Sequence, residues 1–285
     1  MSAARPVALA PAGPHSGAWA TDLRAAPIRL WQWWVLTIRL ITPAIKTGEI
    51  LTSIIASAAF TASFYIPLKT VMSVSGLGFS SYAQFMMPLV ILQAGAFTAI
   101  GAAFRSATDA VSGLDRRFAS MPVGRLIPFS ARMSGNIIRL VIAQAAALTC
   151  GHVIGFRFHL DWPHTLGFIA LGLLVGIAFT VGADVIGTAS KSPETTTQAL
   201  LLPPLILGML STGIAPVTQF PEWVQPFVRN QPVSQFATAL RALAGDTGGN
   251  AGVVSWSTMA PSLLWIGAIL AIALPFAIRF AMRRS

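Results

Sequence analysis

The segment LGFIALGLLVGIAFTVGADVIGTA, Leu166–Ala189, contains only one charged side chain, that of Asp184. A bilayer core of about 30 Å takes about 20 apolar residues of helix, so this segment is long enough to cross a membrane. The whole chain has a matching composition: 54% of its 285 residues are hydrophobic and 10% are charged, against about 25% charged residues in soluble domains. The sequence therefore predicts an all-α integral membrane protein.

Five other apolar runs are long enough to be spans, which predicts six transmembrane helices in one membrane domain, 28–285. A proline pair, Pro203-Pro204, interrupts the fifth, and prolines are tolerated where neighbouring helices satisfy the freed carbonyls. The six runs are Ile50–Leu68, Phe85–Phe104, Met133–Phe156, Leu166–Ala189, Ala199–Pro216 and Met259–Phe280.

The net charge of +10 is explained by the distribution of Lys and Arg between the two sides of the membrane. It does not indicate nucleic-acid binding. With a cytoplasmic N-terminus, the inner segments hold most of the Lys and Arg residues, as the positive-inside rule requires. The outer segments hold Lys69, Arg157, Arg229 and Arg241. Both termini are expected in the cytoplasm, and no removable signal peptide is predicted near Met1.

The N-terminal region divides into a tail and an amphipathic helix. Residues 1–27 are rich in Ala and Pro and predict a disordered cytoplasmic tail. In 28–47, Trp31, Trp34 and Ile38 recur at helical spacing while Arg39 lies on another face. This pattern is typical of an interfacial helix on the inner leaflet; a helix packed on another subunit is the alternative.

A short charged segment, FRSATDAVSGLDRRFASMPVGR, follows the second run. Ser106 and Asp109 resemble a capping box, and Pro122 is a plausible end, which predicts a separate helix in 106–122. Its apolar stripe would dock on a soluble subunit, or the segment is a solvated loop helix. The residues assigned to this contact are Asp109, Leu114, Asp115, Arg116, Arg117, Phe118 and Met121.

A long loop precedes the last run and predicts short re-entrant helices in 217–246, because four prolines divide a sequence rich in apolar anchors. These helices would close the outer mouth of a pathway, or they form a structural cap. The residues assigned to this outer gate are Trp223, Phe227, Arg229, Asn230, Gln231 and Phe236.

Inside the spans, Arg139 and Asp184 are expected to form an ion pair, because isolated charges are costly in a membrane. Gln93 and Asn136 would line a cavity or hydrogen-bond between helices. The apolar pathway lining is assigned to Gln93, Phe97, Leu207 and Met209. No metal site or catalytic group is predicted.

The stretches "FRSATD", "DRRFASMP", "IGFRFH" and "PFVRNQPVSQFATALRALAGDT" resemble the permease subunits of type-2 ABC exporters, in particular the mycobacterial permeases of the daunorubicin-resistance (Drr) branch. The resemblance implies a coupling helix at Leu114–Met121 seated on an ATPase, and re-entrant helices around Trp223–Leu243. It also implies a second, related permease in a heteromeric complex at the plasma membrane. The implied substrates are phthiocerol dimycocerosate lipids, hydrophobic drugs, or both.

The chain has no GxxxxGK[ST] sequence, so it lacks the loop that cradles nucleotide phosphates. It is therefore predicted to have no cofactor and no enzymatic activity of its own, with ATP-Mg bound by the partner ATPase. The rival interpretations are a carrier that works without an ATPase and a membrane scaffold or assembly protein.

Overall fold

The computed structural model describes residues 26–46, 48–73, 79–113 and 126–283, and the regular secondary structure in these ranges is helical. The helices are α1 Ala26–Lys46, α2 Glu49–Ser73, α3 Tyr82–Ser112, α4 Ile127–Val153, α5 Trp162–Ala189, α6 Pro193–Met209, α7 Gln225–Asn230, α8 Pro232–Ala244 and α9 Trp256–Arg283, with a 3-10 turn at Val217–Gln219.

Four of these helices, α3, α4, α5 and α9, are long and apolar enough to cross a membrane, which confirms four of the six predicted spans. The apolar part of α2, Ile54–Pro67, is shorter. Helix α6 has 17 residues and ends at Met209, so the fifth run was drawn too long. The chain turns at 210–214, where the Ser211 hydroxyl donates to the Gly208 carbonyl and accepts from the Gly213 amide.

Helix α3 is the centre of the bundle and contacts α2, α4, α5, α6 and α8. Its contact with α5 is the most extensive in the described residues, because both helices present small side chains. A Cβ on Gly95 would stand 3.3 Å from the Cα of Gly176, and a Cβ on Gly187 would stand 2.2 Å from the carbonyl oxygen of Ala103. Glycine at these positions lets the two backbones approach closely.

Helix α1 packs along α4 and exposes an apolar face on its other side. The indole Nε1 of Trp33 donates to Ser134 Oγ at 3.2 Å, while Trp31 and Trp34 are exposed. Ile38, the third residue named on the predicted interfacial face, is also exposed. The helix begins at Ala26, so the predicted boundary at 28 is two residues late, and the rest of the predicted tail lies outside the described residues.

The prediction that a new helix begins at Ser106 is wrong. Helix α3 continues unbroken to Ser112 and ends at Gly113, whose φ of 69° is left-handed and favours glycine at a helix end. Ser106 is buried, and its hydroxyl donates to the carbonyls of Ala103 and Asp184. It therefore joins α3 to α5 and caps nothing.

Candidate functional site

The buried acid of α5 is paired with Arg132, so the predicted Arg139–Asp184 pair is wrong. Arg132 Nε and Nη2 donate to the two carboxylate oxygens of Asp184 at 2.9 and 3.0 Å. Arg132 lies five positions after the start of α4 and Asp184 lies five positions before the end of α5, so the pair joins neighbouring ends of the two helices. Arg139 is seven residues further along α4, about 10 Å along the helix axis at 1.5 Å per residue.

Arg139 instead connects α4 to the interfacial helix. Its Nη2 donates to the carbonyl of Leu40 in α1 at 3.0 Å. Nearby, Arg105 Nη2 of α3 donates to Asn136 Oδ1 of α4 at 2.9 Å. Three arginines thus connect α1, α3, α4 and α5 near the C-terminal end of α3. Two of these connections are to uncharged oxygens, which the charge pattern of the sequence does not reveal.

Of the residues assigned to ATPase contact, Asp109 lies on the last turn of α3, beside Arg105 and Arg139 in a small pocket. The other six, Leu114, Asp115, Arg116, Arg117, Phe118 and Met121, lie outside the described residues. In the sequence, the segment 114–125 comes directly after the end of α3 at Ser112 and Gly113.

An apolar cavity of about 260 Å³ lies between α3, α5 and α6, with contributions from α8 and α9. Among the described residues that line it, Gln93 alone has a polar side chain. Its Nε2 donates to the carbonyl of Pro204 at 3.2 Å, so the donor side of the amide is satisfied within the wall. A cavity of this composition accommodates apolar groups and offers few partners to water.

The predicted pathway lining divides into two pairs. Gln93 and Leu207 line the cavity, whereas Phe97 and Met209 do not. Phe97 lies on another face of α3 and contacts Phe60 of α2, with 5.9 Å between ring centroids. Met209 is exposed at the end of α6. Periodicity could not separate these pairs, because it does not say which face of each helix meets the cavity.

The predicted outer gate is also divided. Trp223, Phe227, Arg229 and Asn230 are exposed, as the burial pattern of α7 and its preceding turn shows. In contrast, Gln231 and Phe236 are buried: Gln231 Nε2 donates to the carbonyls of Leu207 and Leu210, and Phe236 contacts the cavity residue Phe179 edge to face. Gln231 and Phe236 contact Leu207 and Phe179, which line the cavity, although neither lines it itself.

Arg241 in α8 is a buried cation whose role the sequence analysis missed. Its Nη2 donates to the carbonyls of Phe85 at 3.1 Å and Thr212 at 2.9 Å, and its guanidinium lies 4.2 Å from the centroid of the Phe85 ring. Burial lowers the pKa of Arg241 to about 10, so it remains charged at neutral pH. Its position inside the apolar run FATALRALA was the sequence feature that could have indicated that Arg241 is buried. It holds α8 against α3 and the turn after α6.

The apolar cavity thus lies between α3, α5 and α6, and the charged segment 114–125 follows α3 in the sequence. No protein-family model matches the chain. The doxorubicin resistance ABC transporter permease protein DrrB of Mycobacterium tuberculosis is 44% identical over 246 residues, which cover 85% of each chain.

Two other relatives are more distant. The doxorubicin resistance ABC transporter permease protein DrrC of the same organism, named as probable, is 31% identical over 197 residues, 68% of each chain. The daunorubicin resistance ABC transporter permease protein DrrB1 of Streptomyces coeruleorubidus is 28% identical over 170 residues, 59% of each chain. With its apolar helices and these similarities, this chain belongs to the family of doxorubicin- and daunorubicin-resistance ABC transporter permeases.

Proposed function

We propose that the chain is the membrane subunit of an ATP-driven exporter that moves large hydrophobic or amphipathic compounds out across the plasma membrane. Both termini lie in the cytoplasm, and a separate ATPase subunit binds and hydrolyses ATP-Mg. The observation that carries the proposal is the position of α3, which lines the apolar cavity and continues directly into the segment that would contact the ATPase.

Helix α3 is the mechanical link in this proposal. Its glycine-mediated contact with α5 joins the two helices into one body, to which α4 is attached through Arg132 and Asp184. A displacement of the coupling segment would therefore move α3 and α5 together. The cavity lies where α3 and α5 meet α6, so this motion would change its width.

The coupling contact is assigned to Asp109, Leu114, Asp115, Arg116, Arg117, Phe118 and Met121. Leu114 and Phe118 are four residues apart and would face a groove together if 114–121 is helical. The charged residues between them would form the rim of that interface.

The lining of the cavity supports an apolar substrate, and the names of the relatives record resistance to doxorubicin and daunorubicin. Hydrophobic drugs are therefore the substrate class that we place first. Complex envelope lipids such as phthiocerol dimycocerosates have the same apolar character, but the names of the relatives do not mention them.

A second, related permease would complete the transport pathway. Mycobacterium tuberculosis has both DrrB and DrrC, and this chain resembles each of them. The exposed leucines of α6, Leu201, Leu202 and Leu205, together with the exposed face of α2, provide an apolar surface for a neighbouring membrane subunit. We assign the heteromeric contact to this surface.

The experiment that tests the proposal is co-purification of the ATPase with variants of the full chain. Leu114→Asp and Phe118→Asp should each abolish recovery of the ATPase while the permease remains folded in the membrane. Val253→Asp is the matched control, because Val253 is an exposed apolar residue on the expected outer side. If the ATPase is retained by Leu114→Asp and Phe118→Asp as by the wild type, the coupling role is refuted.

A further inference from the structure

The described wall of the apolar cavity contains one polar side chain, that of Gln93 on α3. Gln93 is 5% exposed and lies eleven residues after the start of α3 at Tyr82, about 16 Å along the helix axis. It therefore lies well inside a helix that is long enough to cross a membrane. A polar group at such a position needs hydrogen-bond partners.

The orientation of the Gln93 amide is determined by α6. Its Nε2 donates to the Pro204 carbonyl at 3.2 Å, and it lies so close to Gly208 that a Cβ there would stand 2.6 Å from it. Because a carbonyl oxygen can only accept, the nitrogen must face α6. The amide oxygen Oε1 is the other branch of the group and points in a different direction.

Gln93 and Gln231, the two glutamines beside the cavity, differ in the accessibility of their Oε1 atoms. Neither oxygen accepts a hydrogen bond from the residues that the structure describes. Gln231 Oε1 is buried without a partner, so a ligand cannot reach it. Gln93 Oε1 is not among the buried unpartnered atoms, so it is accessible, and the cavity is the space that Gln93 lines. Gln93 thus presents a free hydrogen-bond acceptor to the cavity.

The other side chains of the described wall offer no donor to this oxygen. They are aliphatic or aromatic, or they belong to proline and glycine residues. Pro203 and Pro204, which line the cavity from α6, also lack a backbone N–H. A bound molecule that excludes water from Oε1 must therefore donate to it or leave it unpaired, and an unpaired buried acceptor costs free energy.

We propose that Gln93 Oε1 selects apolar compounds that carry a hydrogen-bond donor, such as a hydroxyl or an amine N–H, over otherwise equal compounds without one. The donor of the compound bonds to Oε1, while its apolar surface contacts the surrounding wall. Gln93 is therefore a specificity-determining residue. As a statement about exported compounds, this inference rests on the proposed function, but the preference in binding is a property of the cavity and needs no ATPase.

The test uses two fluorescent probes that differ only in the donor, pyrenemethanol and its methyl ether. Equilibrium binding of each probe to the full chain in lipid nanodiscs is measured, with the signal of empty nanodiscs subtracted. The wild type should bind the alcohol about tenfold more tightly than the ether, because the ether leaves the buried oxygen unpaired. Gln93→Leu and Gln93→Met lack the amide oxygen, and each should remove this preference.

The matched control is Gln144→Leu. Gln144 is also 5% exposed, and its Nε2 also donates to a carbonyl of a neighbouring helix, that of Gly172 at 2.9 Å, but it does not line the cavity. This variant should keep the preference for the alcohol, and a thermal melt of each variant verifies folding. The proposal would be overturned if the wild type binds the two probes equally or binds neither. A preference that survives in both Gln93 variants, or is lost in Gln144→Leu, would also overturn it.

Failure of this inference and failure of the proposed function give different results. If the wild type shows no preference while Leu114→Asp and Phe118→Asp abolish recovery of the ATPase, only the selection by Gln93 is wrong. If the preference is present and depends on Gln93 but recovery of the ATPase is unchanged in those variants, the cavity selects its ligands and the coupling role is refuted.

Discussion

Helix α3 meets its neighbours in two different ways. Toward α5, a Cβ on Gly95 would be a tight 3.3 Å from the Gly176 Cα, and the close approach of Gly187 to the Ala103 carbonyl leaves no room for a side chain. Toward α6, α3 borders a cavity of about 260 Å³, and the long side chain of Gln93 crosses to the Pro204 carbonyl. The close α3–α5 contact is expected to hold these two helices together as a rigid body. The α3–α6 contact, which borders the cavity, is expected to open.

The Arg132–Asp184 ion pair attaches α4 to α5 and therefore to the rigid α3–α5 contact. In Arg132→Leu, the carboxylate of Asp184, which is 2% exposed, would be left buried without its cation. Loss of one partner from a buried pair costs about 3–5 kcal/mol. Chemical or thermal unfolding of the purified chain should show this loss, the largest that we expect.

The control is Arg139→Leu, which removes a hydrogen bond to the Leu40 carbonyl but leaves Asp184 with Arg132. Its effect should be smaller, about 2 kcal/mol for a hydrogen bond with a charged donor. Equal destabilisation by Arg132→Leu and Arg139→Leu would mean that the two arginines share the acid.

Gly187→Ala tests the close contact between α3 and α5. The new Cβ would stand 2.2 Å from the Ala103 carbonyl oxygen and from Ser106 Oγ, and a backbone atom cannot move aside without separating the helices. We expect a loss of about 3 kcal/mol, at the upper end of the range for overpacking. Gly182→Ala is the matched control on the same helix, because its nearest neighbour would be 4.0 Å away, and its stability should be close to that of the wild type.

Gly208→Ala makes the corresponding change on the α6 side. The new Cβ would stand 2.6 Å from Gln93 Nε2, the end of a flexible side chain that can rotate away. The expected loss is about 1 kcal/mol, the value of the hydrogen bond to the Pro204 carbonyl. A loss of stability as large as that of Gly187→Ala would show that the α3–α6 contact is as rigid as the α3–α5 contact. The distinction between the two contacts would then not hold.

Ala99→Phe should have the smallest effect on stability and a clear effect on transport. Ala99 lines the cavity, so a phenyl ring would occupy space that is open in the wild type. We expect drug efflux from cells that also express the ATPase to fall by about tenfold, the effect of about 1.4 kcal/mol. Val253→Phe, at an exposed position outside the cavity, should leave efflux unchanged. Normal efflux in Ala99→Phe would exclude the cavity from the pathway.

The membrane class and four spans were predictable from the sequence, because an uninterrupted run of about 20 apolar residues matches the thickness of a bilayer core. The family was predictable from the resemblance of particular stretches, such as "DRRFASMP". The sequence-based predictions failed where the role of a side chain depends on its contacts with other helices. Ser106 resembled a helix start because its pattern is local, but its hydroxyl is occupied by the backbone of α5. Arg139 was the arginine predicted to pair with Asp184, yet Arg132 is the one that contacts it.

The same limit applies to the candidate site. Gln93 and Leu207 were predicted to line the pathway and do line the cavity, while Phe97 and Met209 on the same helices do not. Arg241 was counted only as an outer cation, although it is buried against Phe85. Composition indicates that such residues lie in the membrane domain, but the direction of each side chain depends on helix rotation, which the sequence alone does not fix.

The most direct test of the central claim is a pair of spin-label distances in the complex with its ATPase, with Cys150 replaced by serine. One pair, Thr108 and Ala189, joins the inner ends of α3 and α5, and the other, Thr108 and Gln198, joins α3 to α6. We predict that a non-hydrolysable ATP analogue lengthens the α3–α6 distance and leaves the α3–α5 distance unchanged. A change in the α3–α5 distance, or no change in the α3–α6 distance, would contradict the account.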